Sequence, residues 1–232
     1  MATYGIETSP SELWDDEYRR GGIPSSVRDK PSRVLVEFLE SEFGRNRKGY
    51  ALDIGCGGGR NAFFLAEQGF DTTAFDYSKS QIEAIQSNIS IETSARLHVF
   101  RHDVATPWPI PDSSIDIASD TFCFKHQIAL SSITTYASEI TRCLAPGGRF
   151  MLFFATRLDG YYSQFPEAHQ LGPGCIITDP GNGIRSRLYE PSELTAVFPG
   201  LVPLHQIVKA GVNAMHGAMY ERESCVIYFE KA

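Results

Sequence analysis

Hydrophobic positions near the start of the chain follow a helical period. Between Lys30 and Gly44, apolar side chains recur three and four residues apart, at Val34, Leu35, Phe38, Leu39 and Phe43. Gly44 is a suitable helix stop. Trp14 and Tyr18 are four residues apart and would share one face of an earlier helix. The pattern predicts a helical cap over residues 1–45.

From residue 46 onward, short apolar strands alternate with helical segments. The predicted strands are Tyr50–Ile54, Asp71–Phe75, Arg96–Arg101, Ile115–Ser119 and Arg149–Ala155, with helices over 61–68, 78–88 and 132–144. Because such alternation forms right-handed βαβ units, it predicts a parallel sheet. Two further strands, Leu204–Lys209 and Ser224–Glu230, follow a helix over 191–198 and are close enough to form a hairpin. We therefore predict an α/β, Rossmann-like fold with a seven-stranded, mostly parallel sheet, a C-terminal antiparallel hairpin, and helices on both faces.

A single domain over 1–232 is expected, because no linker or internal repeat interrupts the pattern. It divides into the cap (1–45), a core of alternating strands and helices (46–155), and a C-terminal segment (156–232) with a long loop and the closing hairpin. The loop from Phe165 to Arg187 is rich in Gly and Pro. It is either a lid or binding loop, or a surface excursion or disordered segment.

Composition and charge narrow the class of partner. The 232 residues carry a formal net charge of −7 and no Lys/Arg cluster, which argues against nucleic acid, since phosphate binding requires concentrated positive charge. Apolar runs are far shorter than a membrane span, and the first residues lack a signal-peptide pattern, so we expect a cytoplasmic protein without membrane contact. The five cysteines contain no C-x-x-C pair, which indicates free thiols and no metal site. Cys123 is a buried thiol or, alternatively, a nucleophile. Monomer and homodimer both stay open.

Glycines crowd the end of the first predicted strand. The segment Ala51-Leu-Asp-Ile-Gly-Cys-Gly-Gly-Gly-Arg60 runs from an apolar strand through an acidic residue into Gly55, Gly57 and Gly59. Glycine permits a tight turn and lets a ligand touch the backbone, and the next helix directs its positive end at that ligand. Dinucleotide and phosphate loops share this device, so the glycines alone do not identify the ligand.

The string from Asp53 to Gly59 resembles motif I of the class I S-adenosylmethionine-dependent methyltransferases. Its glycine spacing differs from the G-x-G-x-x-G of dehydrogenases, and no P-loop lysine follows. Pro111–Asp120 and Leu144–Phe150 also resemble segments of that family, so the resemblance covers about Lys48 to Phe154. Gly58–Ala66, with the Trp14–Tyr18 segment, is similar to the small-molecule branch that includes tellurite- and thiopurine-type methyltransferases.

The resemblance implies S-adenosylmethionine as the cofactor. Its implied binding residues are Asp53, Gly55, Cys56, Gly57, Gly59, Asp76, Tyr77, Asp103, Val104 and Asp120. Asp53 would organise the loop, Asp76 would accept the ribose hydroxyls, and Asp103 would accept from the adenine amine. Asp76 is alternatively a helix N-terminal residue, and Asp103 a solvated carboxylate at a strand end.

Substrate contacts are expected where the resemblance ends. His126 is the candidate general base, because its ordinary pKa permits proton uptake near neutrality; a capping or packing role is the alternative. The candidate substrate contacts are Trp14, Tyr18, Phe122, Phe124, Tyr161, Arg185 and Tyr220. Phe122 and Phe124 would equally serve as core packing residues, and Trp14 and Tyr18 would alternatively pack the N-terminal helix on the sheet. Arg185 and Arg187 flank Ser186, so an extended strand would place both on one face. They are either solvated or, if both face the pocket, favour a carboxylate-bearing substrate.

These features predict methyl transfer to an O, N or S nucleophile of a small molecule by in-line displacement. A protein side chain as the acceptor and a non-catalytic cofactor-binding protein stay open as alternatives. An oxidoreductase on the same sheet is disfavoured, because the glycine spacing differs and no second nucleotide half is evident.

Overall fold

Five parallel strands and one antiparallel hairpin form the central sheet in the computed structural model, which describes residues 9–170 and 172–232. The strands are β1 (Tyr50–Ile54), β2 (Asp71–Asp76), β3 (Leu97–Arg101), β4 (Ile115–Thr121), β5 (Leu144–Ala155), β6 (Cys175–Thr178), β7 (Arg185–Leu188), β8 (Leu201–Met215) and β9 (Ala218–Lys231). The seven-stranded sheet has the order β3-β2-β1-β4-β5-β9-β8, with β8 and β9 antiparallel. The predicted fold class is confirmed.

Helices cover both faces of this sheet. They are α1 (Pro10–Arg20), α2 (Pro24–Val27), α3 (Arg33–Glu40), α4 (Arg60–Glu67), α5 (Lys79–Asn88), α6 (Ile91–Ser94), α7 (Leu130–Cys143) and α8 (Pro191–Val197). Alternate residues of β5 point to opposite faces, since Phe150 packs with α7 and α8 while Met151 packs with α3. None of these helices is both long and apolar enough to cross a bilayer.

The cap begins with a helix whose ends are both defined by sequence. Ser9 and Glu12 form a capping box at the start of α1, and Gly21 ends the helix in the left-handed region with φ of +66°. Asp15 then accepts hydrogen bonds from Ser78 (2.5 Å) and Ser80 (2.7 Å). These bonds hold α1 against the start of α5. Residues 1–8 of the predicted cap lie outside the described residues.

The C-terminal hairpin is longer than the sequence predicts. The predicted strands, 204–209 and 224–230, lie within β8 and β9, but both strands continue to a turn at His216 and Gly217. Beyond Lys209 the residues of β8 are exposed until Met215, so they lack the apolar alternation that marks a strand on a core. The two turn residues adopt positive φ, as in a two-residue hairpin turn.

The long loop over 165–187 contains a second hairpin, which the sequence analysis missed. Strands β6 and β7 pair with each other in a separate two-stranded sheet. The expectation that Arg185 and Arg187 lie on an extended strand is confirmed by β7. This small sheet positions the turn over 179–184 beside the cap.

Candidate functional site

A cavity of about 1200 Å³ lies where β1, β2, β3 and β4 end, beneath the cap and the turn over 179–184. Ligands of open parallel sheets bind at this edge. The volume exceeds the roughly 300–1000 Å³ of a pocket for one ligand, so it accommodates a cofactor and a second molecule. The predicted residues that line it are Trp14, Tyr18, Gly55, Cys56, Gly57, Asp76, Tyr77, Asp103, Val104, Phe122, His126 and Arg185.

The glycine loop forms one wall of the cavity. Gly55 and Gly57 have φ of +64° and +51°, a region that side chains rarely adopt. A β-carbon on Gly55 would collide with Cys123, and one on Gly57 would lie 2.6 Å from the Tyr18 hydroxyl. Burial raises the pKa of the Cys123 thiol, which argues against the nucleophile alternative because the thiolate is the reactive form.

Asp76 closes the glycine loop from the neighbouring strand. Its carboxylate accepts hydrogen bonds from the backbone N–H of Gly57 (2.9 Å) and of Ser78 (2.8 Å). Burial raises the pKa of Asp76. The bond from Ser78 agrees with the helix N-terminus alternative, whereas the bond from Gly57 and the position at the cavity agree with a cofactor role. A carboxylate has four lone-pair sites, so two stay available to ribose hydroxyls.

Asp53 lies behind the loop and does not line the cavity. One of its oxygens accepts from the Ser119 hydroxyl (2.9 Å), and the other has no hydrogen-bond partner among the residues described. Burial raises the pKa of Asp53 to about 7. Asp53 therefore supports the glycine loop from behind and is not placed to contact a ligand in the cavity.

The adenine end of the predicted site is also assembled. Tyr77, Asp103 and Val104 line the same cavity, and the Tyr77 hydroxyl donates to the Pro10 carbonyl (3.1 Å), which ties the cap to β2. The Asp103 carboxylate accepts from the backbone N–H of Ala105 (2.9 Å). Together with the glycine loop and Asp76, these residues fit an adenosyl group that carries an amino-acid tail.

His126 lies across the cavity from the adenine end. Its Nδ1 is 2.8 Å from the Arg185 carbonyl oxygen, and since a carbonyl only accepts, Nδ1 carries the proton. The Nε2 lone pair of a neutral imidazole is then free. Burial, followed by the charge of Lys125, holds the His126 pKa well below its ordinary value. The ring also packs edge-on against Trp14 at 4.9 Å, as the packing alternative expects.

Lys125 is buried although no carboxylate lies within 4.0 Å among the described residues. Its ammonium donates to the Tyr162 hydroxyl (2.7 Å) and the Ser186 hydroxyl (3.2 Å). Lys125 was not predicted as a site residue, because burial of a lysine is not visible in a sequence.

Three predicted residues do not line the cavity because they belong to the framework behind it. Phe124 is 1% exposed and packs on Tyr136 and Phe198, so the substrate-wall interpretation of Phe124 is wrong. Asp120 accepts from the backbone N–H groups of Cys123 and Phe124 (2.9 Å each) and from the Tyr136 hydroxyl (2.6 Å). Gly59 caps α4 in the left-handed region. Asp120 and Gly59 therefore shape the site without facing it.

Tyr161 and Tyr220 lie outside the cavity as well. The Tyr161 hydroxyl donates to Asp179 (2.7 Å), and the Tyr220 ring packs edge-on against Tyr161 at 5.1 Å. Their interpretation as substrate contacts is corrected: they support the segment above the cavity.

That segment, here called the cover, consists of α1 through Gly22, the turn over 179–184 and the hairpin turn over 215–217. Glu17 is 1% exposed and accepts from the Ile23 N–H (2.5 Å) and the Asn182 amide (3.0 Å). His216 lies 2.9 Å from Asp179, and its backbone N–H donates to the Gly22 carbonyl (3.0 Å). Three parts of the chain that are distant in sequence are thus joined above the cavity.

The cavity is also lined by arginines, of which only Arg185 was predicted from the sequence. Arg28, Arg60 and Arg101 also line it. Arg60 could have been selected from the sequence, because it directly follows the glycine motif. Arg28 could not, since the loop after α2 carries no recognisable motif.

Comparison with known proteins agrees with this site. Residues 51–148 match the protein family described as a methyltransferase domain. A ubiquinone biosynthesis O-methyltransferase from Vibrio atlanticus (strain LGP32) is 24% identical over 216 residues, covering 91% of this chain and 83% of that enzyme. An S-adenosylmethionine-dependent methyltransferase from Methanosarcina mazei has a TM-score of 0.68 and 18% identity, covering 87% of this chain and 98% of that chain.

A second solved structure is the 1,6-didemethyltoxoflavin-N1-methyltransferase of Burkholderia thailandensis with bound 1,6-didemethyltoxoflavin and S-adenosylhomocysteine. Its TM-score is 0.66 at 19% identity, covering 98% of this chain and 92% of that chain. These likenesses establish the fold, and the family match spans the glycine loop, strand β2 with Asp76 at its end, and Asp103 just after β3. Residues 51–148 therefore form a methyltransferase domain, and the protein is an enzyme that transfers a methyl group from S-adenosylmethionine, its cofactor.

Proposed function

We propose that this enzyme methylates an O, N or S nucleophile of a small molecule enclosed beneath the cover. The observation that carries the proposal is the joining of the cover by buried Glu17 and Asp179, which covers the space beside Trp14, Phe122 and His126. The cover restricts the approach of a protein side chain to this space. We also propose that the chain works as one domain, with cap (1–45), cofactor-binding core (46–155) and substrate-covering segment (156–232).

Different residues bind different parts of the cofactor. The backbone of Gly55 and Gly57 contacts the amino-acid part of the cofactor. Asp76 accepts hydrogen bonds from the ribose hydroxyls, and Asp103 and Val104 bind the adenine. When bound, S-adenosylmethionine supplies a methyl carbon whose bond to sulfur breaks, with its electron pair leaving on sulfur, as the acceptor forms its new bond. The remaining task of the chain is to align the acceptor and exclude water.

His126 is suited to take the proton that the acceptor loses. Its Nδ1–H is fixed by the Arg185 carbonyl, and its lowered pKa keeps the imidazole neutral, so Nε2 accepts a proton at neutral pH. The ring is oriented further by its contact with Trp14. A hydroxyl or amine placed at Nε2 would thus be activated inside the cavity.

The names of the relatives support a small acceptor. One refers to O-methylation in ubiquinone biosynthesis and the other to N1-methylation of 1,6-didemethyltoxoflavin. These two acceptors differ in the methylated atom, so the relatives support the substrate size and leave the acceptor atom of this enzyme open.

The first test measures cofactor binding by calorimetry, with Asp76→Ala against Asp71→Ala. Both residues belong to β2, but Asp71 lies at its other end and pairs with Arg96 on the surface. We expect S-adenosylhomocysteine affinity to fall at least about tenfold in Asp76→Ala, because a charge-assisted hydrogen bond is lost, and to be unchanged in Asp71→Ala.

The second test measures S-adenosylhomocysteine release with a panel of small hydroxylated and amino-substituted aromatics and with unfolded proteins. Turnover of small molecules alone supports the proposal. Turnover of proteins with no small-molecule turnover contradicts it and favours the protein side-chain alternative. Tight cofactor binding without any turnover favours the non-catalytic alternative.

A further inference from the structure

The charge of the cavity is opposite in sign to that of the chain. The protein carries a net charge of −7, yet the charged residues that line the cavity are Arg28, Arg60, Arg101, Arg185, Asp76 and Asp103. Four cations against two anions give a local excess of positive charge. A cavity of this kind concentrates anions, because low-dielectric walls focus the field of the charges that line it.

The two carboxylates are already engaged at the cofactor end. Asp76 accepts from Gly57 and Ser78, and Asp103 accepts from Ala105. Neither lies within 4.0 Å of a cationic group in the described part of the chain. They therefore leave the positive charge at the rest of the cavity without local compensation.

Two of the cavity arginines differ from several arginines elsewhere in the fold. Arg142, Arg157 and Arg222 each form an ion pair with a carboxylate. Within the residues described, Arg28 and Arg185 have no carboxylate within 4.0 Å. Arg28 donates only to the neutral Asn213 amide oxygen (3.2 Å). These two guanidinium groups are available to an anionic ligand.

Arg60 and Arg101 are placed differently. Arg101 donates to the Tyr77 carbonyl (2.9 Å), and Arg60 directly follows the glycine loop, so both lie beside the segments that hold the cofactor. Arg60 can pair with the carboxylate of the cofactor's amino-acid part. Arg28 and Arg185 remain for the second molecule in the cavity.

The position of Arg185 relates it to the candidate base. The carbonyl of Arg185 holds His126, so the backbone of Arg185 lies beside the imidazole, and Arg185 also lines the cavity. Trp14 packs against the His126 ring, and Phe122 lines the same cavity. The planar guanidinium of Arg185 can form two hydrogen bonds to a carboxylate, and the aromatic side chains can pack against an aromatic ring.

We propose that the substrate is an aromatic acid whose ring lies against Trp14 and Phe122 and whose carboxylate binds Arg185, assisted by Arg28. The hydroxyl or amine to be methylated then faces His126 Nε2, which takes its proton as the new bond to the methyl carbon forms. This inference rests on the proposed small-molecule activity for the methylation step but not for binding of the acid.

The test compares acids with their methyl esters on protein saturated with S-adenosylhomocysteine. The probes are protocatechuate and anthranilate, each against its methyl ester, and affinity is measured by calorimetry. We expect the wild-type protein to bind at least one acid about tenfold or more tightly than its ester, because a guanidinium–carboxylate pair contributes charge-assisted hydrogen bonds. Arg185→Gln should remove most of this preference, and Arg28→Gln part of it.

Arg33→Gln is the matched control, because Arg33 is exposed on α3 and lies outside the cavity. It should leave the preference intact. Equal affinity for acid and ester in the wild type, no binding of either acid at millimolar concentration, or a preference that persists in the double variant of Arg28 and Arg185 would overturn the proposal.

Methyl transfer to the same probes is measured separately, so that the two proposals fail in different ways. Tight binding of an acid without its methylation supports the anion site and contradicts the proposed methylation of this class. Equal methylation of acids and esters supports the proposed activity and overturns the anion site.

Discussion

The hydroxyl oxygen of Tyr18 lies so close to the α-carbon of Gly57 that a β-carbon there would be only 2.6 Å away. This contact joins the cap to the glycine loop. Gly57 therefore has two independent reasons to be glycine: its φ of +51° and the absence of space for a side chain. Burial also raises the pKa of the Tyr18 hydroxyl, so it stays a neutral donor at the loop.

We predict that Gly57→Ala destabilises the protein more than Gly147→Ala. Gly147 also has a positive φ, of +71°, but nothing lies within 4 Å of its added β-carbon. The control measures the backbone cost alone, about 1–2 kcal/mol for a left-handed residue. Urea denaturation gives both free energies of unfolding. Adding Tyr18→Phe to Gly57→Ala should recover the excess loss, and equal losses for the two alanine variants would contradict the contact.

The fold between residues 46 and 155 could be predicted because short stretches of sequence specify each of its strands and helices. Three of its strands, β1, β2 and β4, are short apolar runs followed by a helix, and the βαβ rule then places the ends of parallel strands at one edge. Asp76 and Asp103 could be assigned to the same ligand for this reason. The structure brings both to one cavity with Gly57.

Side-chain direction after β4 could not be predicted in the same way. Phe122 has a φ of +70°, which interrupts the strand alternation immediately after its end. As a result, Phe122 faces the cavity whereas Phe124 enters the core. The contacts of Glu17 with Asn182 were equally inaccessible, because they join segments 165 residues apart whose mutual position depends on the whole fold.

The free energy of unfolding should depend on pH through the buried carboxyl group of Asp53. Burial raises its folded pKa to about 7, whereas an unfolded aspartate titrates near about 3.9. Between about pH 4 and about pH 7, the folded state holds a proton on Asp53 that the unfolded state has lost. Protonation of Asp53 therefore contributes stability that is fully present below about pH 4 and is lost as the pH rises through about 7.

We therefore predict that Asp53→Asn becomes more stable relative to the wild type as the pH rises from about 5 to about 8. The slope is at most about 1.4 kcal/mol per pH unit, since one proton is involved. Urea denaturation at several pH values measures it. Asp71→Asn on the surface of the same sheet should show no such trend, and a constant difference for Asp53→Asn would contradict the raised pKa.

Glu17 should determine whether the cap stays closed. Glu17→Ala leaves the Ile23 N–H and the Asn182 amide without their acceptor, at a cost of about 1–3 kcal/mol. We predict faster trypsin cleavage after Arg19 and Arg20 at the end of α1. Asp16→Ala is the control, because Asp16 is adjacent but partly exposed, and its one ion pair among the described residues is with Arg19. Equal cleavage rates for the two variants would show that Glu17 does not hold the cover.

The pH profile of methyl transfer should identify the role of His126. A general base acts in its neutral form, so kcat/KM falls as the pH drops through its pKa. Because burial and Lys125 hold that pKa well below 6.5, we expect the acid limb to lie below the range of an ordinary histidine. His126→Gln should lower kcat by about 10²-fold or more and abolish the limb, which rate measurements across the pH range would show.

Lys125→Met separates this base role from packing of the His126 ring. Lys125 does not line the cavity, yet its charge lowers the pKa of His126. Its removal should shift the acid limb to higher pH while the rate on the plateau changes less than in His126→Gln. If His126 only packs against Trp14, neither substitution will move the limb, and the loss in His126→Gln will be the same at every pH.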